Sequence, residues 1–264
     1  MKHTLEYELP VTWGRMTMCE AAGISPAFNS PVAATGLVSP SSCLQPGSRN
    51  VEVRVGEARL MGTLAWPCHP SGFVLFTRTG GRRGQDRLLS ERLQREGFGT
   101  LLIDRILGSR RSGSELKAGH FQPLVEWLAR QPEAAGRPVG CLGLGAAATG
   151  ALVAARSSAR IGAVVLCGGY PRLEQLFAVR VPTLLITGEE DYERLRLAHP
   201  ELVRLGGSAC LMSIPGTGPL GDPHGLEQAG SRAAQWFVRH LIMEPACRAA
   251  HARLPGGTDH GKAV

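Results

Sequence analysis

The stretch Val139–Arg156 reads VGCLGLGAAATGALVAAR, and its reading decides the fold. Val139–Gly143 is a short apolar run bounded by glycine, the pattern of a strand buried on both faces. Ala146–Arg156 is rich in alanine, which favours helix. Between them, Gly143-Leu144-Gly145 supplies the flexible residues of a tight turn. The stretch is therefore a strand, a turn and a helix, and its small side chains allow that helix to lie close against a sheet.

Working outward, the same alternation repeats. Val51, Val53 and Val55 alternate with charged residues as in a half-exposed strand, and Arg59–Ala65 is its hairpin partner after Gly56. Apolar runs follow at Gly72–Phe76, Thr100–Ile103, Ile161–Cys167, Thr183–Ile186 and Ala209–Ile214. Helix-period segments separate them at Gln85–Arg95, Leu116–Arg130, Leu173–Phe177, Tyr192–Leu205 and Leu226–Leu241. This predicts an α/β fold with a mainly parallel, roughly eight-stranded sheet and helices on both faces. Residues 1–48 mix Pro, Ser, Gly and Ala without sustained period, predicting a disordered or loosely attached leader. Residues 49–243 form the domain, and 244–264, containing Pro255-Gly256-Gly257, a mobile tail.

The net charge is +7, and it is unevenly spread. Between Thr77 and Ser112 nine arginines face only Asp86, Glu91, Glu96 and Asp104. Aromatic residues make up 5% of the chain and are not interleaved with these arginines, which argues against nucleic acid as a partner. The seven cysteines, Cys19, Cys43, Cys68, Cys141, Cys167, Cys210 and Cys247, contain no CxxC pair, so neither a disulfide framework nor a zinc site is expected. Lys2 is followed by Glu6 and Glu8 rather than an apolar core, unlike a signal peptide. No run approaches the roughly 20 apolar residues of a membrane helix. The expectation is a cytoplasmic protein with no membrane contact, no metal and no cofactor. Nothing in the sequence fixes an oligomeric state.

Several segments, in this order and spacing, resemble one family: GFVLF at 72–76, REGFGTLLID at 95–104, WLARQPEAAGRPVG at 127–140, AAATGALVAAR at 146–156, IGAVVLCGGYP at 161–171, VPTLLITGEED at 181–191 and AAQWFVRHL at 233–241. From about Val51 to Leu241 the chain resembles the dienelactone-hydrolase-like branch of the α/β-hydrolase superfamily. The resemblance implies a nucleophile on the strand-to-helix turn, written G-x-S-x-G or G-x-C-x-G. Here that position is Gly145, which has no reactive atom. It puts the acid of the triad at Asp191 and the histidine at Pro219, which has no proton to exchange. Where relatives carry a His-Gly stretch after the first parallel strand, this chain has Thr77-Arg78-Thr79-Gly80-Gly81-Arg82-Arg83. The catalytic triad is thus expected to be degenerate, with Asp191 its one occupied position.

Competing uses of these residues stay open. Asp191 also suits an N-cap for a helix beginning at Tyr192. His224 is either a displaced base or a solvent-facing histidine, and Thr149 and Cys141 are the candidate displaced nucleophiles. Gly143, Gly145 and Ala148 satisfy G-x-G-x-x-[GA], yet no acid follows about 20 positions on, as a dinucleotide site requires. Arg78, Arg82, Arg83 and Arg87 follow one strand and Arg105, Arg110 and Arg111 its neighbour. They form either a solvated basic rim or, with Gly80, Gly81 and the helix start at Ala146, an anion-binding edge. Trp127, Trp236, His120, His199 and His240 read as structural. Two functional expectations result: a pseudoenzyme that binds or regulates through a small molecule, an anion being one candidate, or an active ester or lactone hydrolase, lyase or isomerase using Asp191, His224 and a displaced nucleophile.

Overall fold

The computed structural model describes residues 44–77, 85–107, 118–168, 176, 179–198, 209–215 and 223–243. Its strands are β1 Gly47–Val55, β2 Ala58–Trp66, β3 Gly72–Thr77, β4 Phe98–Leu107, β5 Val139–Leu144, β6 Ile161–Cys167, β7 Thr183–Gly188 and β8 Ala209–Ile214. They form one eight-stranded sheet in the order β1-β2-β4-β3-β5-β6-β7-β8. β2 is antiparallel to both β1 and β4, and every other pairing is parallel, so the sheet is mixed with a parallel body.

Burial explains the two kinds of strand. Every residue of β3, β5 and β7 is buried, which is why these strands are continuous apolar runs instead of alternating ones. β1 alternates Val51 and Val53 inward with charged residues outward.

Among the described residues five α-helices cover the sheet: α1 Gln85–Arg95, α2 Ala118–Ala129, α3 Ala148–Ser157, α4 Glu189–Ala198 and α5 Pro223–Phe237. On one face, Phe121, Leu124 and Leu128 of α2, Ala151 and Leu152 of α3 and Leu195 of α4 pack with Phe73, Leu75, Cys141 and Val164. On the other, Leu89 and Leu93 of α1 and Ala229, Ala233 and Phe237 of α5 pack with Val74, Phe76, Leu142 and Val165. Phe237 meets Phe98 edge to face, with ring centroids 6.1 Å apart.

Several boundaries differ from the sequence reading. β1 starts at Gly47, inside the stretch assigned to the leader. β4 runs from Phe98 to Leu107, beyond Thr100–Ile103, because β2 continues to pair with it out to Arg59 opposite Leu107. α4 starts at Glu189 instead of Tyr192, with Glu189, Glu190 and Asp191 in its first turn, where negative charge suits the helix dipole. Asp191 therefore lies within the helix and is not its N-cap. α5 starts at Pro223, and a wider π-helical turn, Val238–Met243, continues it. Apart from Leu176, the segment Leu173–Phe177 lies outside the described residues.

Candidate functional site

In an open parallel sheet, ligands bind at the carboxyl ends of the strands, where loops and helix starts converge. At the end of β5, Leu144 is still extended, with φ −101° and ψ 125°. Gly145 then turns to φ 53°, and a single 3₁₀ turn, Gly145–Ala147, leads into α3. A side chain at such a φ costs roughly 1–2 kcal/mol, a penalty glycine escapes. The sharp strand-to-helix turn is present, and the residue at its apex carries no nucleophile.

The start of the helix rests on backbone alone. The Ala148 N–H donates to the Gly145 carbonyl, and neither Leu144 nor Ala147 contributes a side-chain cap. Ala146 is exposed at the mouth of the turn, while Ala147 and Ala148 are buried. N–H groups at a helix start carry partial positive charge and favour an anion.

The remaining candidates are less concentrated. Asp191 is half-buried in the first turn of α4, following β7, which is separated from β5 by β6. His224 is exposed in the first turn of α5, and its Nε2 lies 2.8 Å from Gln228 Nε2, one helical turn on. Cys141 is fully buried within β5, and burial pushes its thiol up to about 12; Cys167 on β6 behaves alike. Neither can supply thiolate near neutral pH. Thr149 is half-buried, the second residue of α3. Pro219, Arg78, Gly80, Gly81, Arg82, Arg83, Arg110 and Arg111 lie outside the described residues. Of the other arginines on this edge, Arg87 pairs with Glu91 at 2.7 Å and Arg105 with Asp104 at 3.8 Å. Both are exposed surface pairs of small energetic weight.

The structure adds two residues that the sequence reading passed over. Thr77 ends β3 and Thr187 is the penultimate residue of β7; each is 1% exposed, and among the described residues neither Oγ1 has a hydrogen-bond partner. Buried hydroxyls normally find one. The available signal was a threonine near the carboxyl end of an otherwise apolar central strand.

Among the described residues, no group of three His, Cys, Asp or Glu side chains is placed to hold a metal ion. Among them, too, no helix is long and apolar enough to cross a membrane.

The sheet order, the helices on both faces and the turn after β5 define an α/β-hydrolase fold. Within that class the chain belongs to the dienelactone hydrolase family. A dienelactone hydrolase from Anabaena variabilis ATCC 29413 is 32% identical, with a TM-score of 0.66 across 75% of this chain and 100% of that one. A dienelactone-hydrolase-like promiscuous phosphotriesterase from metagenomic libraries, 18% identical, shares the fold with a TM-score of 0.58 over 74% of this chain and 99% of its own. Two Mycobacterium tuberculosis proteins, from strains H37Rv and CDC 1551, provisionally named phosphoribosyl transferases, are 35% identical over 211 residues. The match takes in 74% of this chain and 48% of theirs, so the chain spans about half the length of these relatives. No protein-family model matches the chain.

Proposed function

We propose that this member of the dienelactone hydrolase family has lost serine or cysteine hydrolase chemistry and serves as a binding or regulatory protein for a small anionic molecule. The observation that carries the reading is Gly145, which holds the elbow conformation at φ 53° without a reactive side chain. An elbow that keeps its turn keeps its helix start, and with it backbone N–H groups suited to negative charge. A displaced nucleophile has little support, since the Cys141 thiol is buried with its pKa pushed up to about 12. His224, exposed and beside Gln228, has no nucleophile next to it in sequence. The phosphoribosyl transferase name belongs to proteins of which the match covers only 48%. From it we carry over only that phosphate esters are the first anions to try.

The test pairs an activity with a binding measurement. Purified protein should hydrolyse p-nitrophenyl acetate no faster than background, and Gly145→Ser with Pro219→His should gain turnover. Inorganic phosphate, ribose 5-phosphate or acetate should raise Tm saturably. Clear wild-type turnover that His224→Ala abolishes would overturn the reading, as would indifference of Tm to every one of these anions.

A further inference from the structure

Strand alternation fixes where the Thr77 hydroxyl points. Phe73 and Leu75 belong to the core under α2 and α3, and Val74 and Phe76 to the opposite core, so Thr77 faces the α3 side. The register fixes its height. Leu75 pairs with Cys141 and Phe76 with Leu142, which brings Thr77 level with Gly143 on the neighbouring strand. Gly143 is where α3 meets the sheet, because a Cβ there would lie 2.6 Å from Ala148 Cα and 3.0 Å from Ala148 N. Thr77 thus stands one strand spacing, about 4.8 Å, from the line on which the first residue of α3 touches β5.

Two independent observations meet at this point. The start of α3 has no side-chain cap. Beside it, a threonine only 1% exposed has a hydroxyl with no hydrogen-bond partner among the described residues. An unmatched buried hydroxyl is unfavourable, and an uncapped helix start is an unmet demand for negative charge. A single small oxyanion satisfies both.

We infer that Thr77 is a ligand-binding residue, its hydroxyl donating to one oxygen of a phosphate or carboxylate whose other oxygens face the backbone N–H groups at the start of α3. The inference rests on the anion-binding reading above and adds to it a neutral donor in a dry position. Such a donor is strengthened by low local dielectric and is far less sensitive to salt than an exposed arginine.

The experiment follows Tm against inorganic phosphate and, separately, acetate, for the wild type, Thr77→Val, Thr77→Ser and Thr187→Val. Valine matches threonine in shape and removes the hydroxyl; serine keeps it. Without anion, Thr77→Val should melt no lower than the wild type, because it deletes an unmatched group. Its apparent Kd for the bound anion should rise about tenfold, the loss of one buried hydrogen bond to a charged ligand. Thr77→Ser should bind within about threefold of the wild type. Thr187→Val, which removes an equally buried hydroxyl three strands away from β3, should bind like the wild type. No saturable response in the wild type overturns both the anion-binding reading and this inference. Wild-type affinity in Thr77→Val, or an equal loss in Thr187→Val, overturns this inference alone. Should Thr77→Val not fold, the Thr77 methyl resonance of the wild type decides. It shifts on phosphate titration if the hydroxyl is a ligand, and a resonance that stays fixed overturns the assignment.

Discussion

Gly143 on β5 and Ala148 at the start of α3 approach so closely that no side chain fits between them. A Cβ on Gly143 would stand 2.6 Å from Ala148 Cα and 3.1 Å from the Ala147 carbonyl oxygen. These obstacles are backbone atoms, which cannot swing aside as a flexible side chain can. Gly143→Ala must push the helix off the sheet or bend the strand, at a cost of about 1–3 kcal/mol typical of overpacking. Urea unfolding should show a lower midpoint with an unchanged slope. An unshifted midpoint would mean that α3 does not lie this close to β5.

Gly145 makes the complementary point at the apex of the same turn. Its φ of 53° is a conformation that side chains enter only at a cost of roughly 1–2 kcal/mol. Gly145→Ser alone should lower stability by about that amount, and, on the proposed loss of the triad histidine, its ester hydrolysis should stay at background. Thermal unfolding and a p-nitrophenyl acetate assay on this single variant check the two halves separately. A serine accepted with no loss of stability would contradict the left-handed turn.

Residues whose identity follows from burial were legible in the sequence, and residues whose role depends on neighbours far along the chain were not. GFVLF, VGCLG and TLLI could be recognised as central strands because a strand covered on both faces is a near-continuous apolar run. The hairpin of Val51, Val53 and Val55 with Arg59–Ala65 showed its period of two. The extra length of β4 was hidden, since Asp104 and Arg105 break the apolar run, and past the irregularity at Asp104 the strand continues by pairing Arg105–Leu107 with β2. Helix starts were missed at Glu189 and Pro223 because acids and proline both suit a first turn, where no apolar period is yet established. The turn at Gly145 was found from the family pattern, but that Thr77 stands beside it follows from a cross-strand register no local window contains.

The cysteines should divide sharply by accessibility. Cys68 is exposed, whereas Cys141 and Cys167 are fully buried, each with its thiol pushed up to about 12. With iodoacetamide at pH 8 the native protein should be alkylated at Cys68 and spared at Cys141 and Cys167, which react only after denaturation. Peptide mapping by mass spectrometry reads this directly. Rapid native labelling of Cys141 would reopen it as a nucleophile and count against loss of hydrolase chemistry.

Arg49 ties the first strand to the loop after α2, and this tie should respond to pH. Its Nε donates to Glu133 Oε1 at 3.1 Å and its Nη2 to Gln131 Oε1 at 2.9 Å, with the guanidinium 6.0 Å from the centre of the Trp127 ring. Partial burial pushes the Glu133 carboxyl up, but the Arg49 hydrogen bond, its own backbone N–H and the guanidinium charge together hold it below its ordinary value of 4.5. A carboxylate lowered in the folded state adds stability above its unfolded pKa, and that contribution fades as pH falls through the lower folded value. Arg49 is half exposed, so solvent screening limits the effect to about 1 kcal/mol or less. Glu133→Gln should therefore unfold at lower urea than the wild type at pH 7, and the two midpoints should converge as pH drops below the ordinary carboxylate range. A gap that stays constant from pH 7 down to pH 3 would assign Glu133 a role in packing rather than charge.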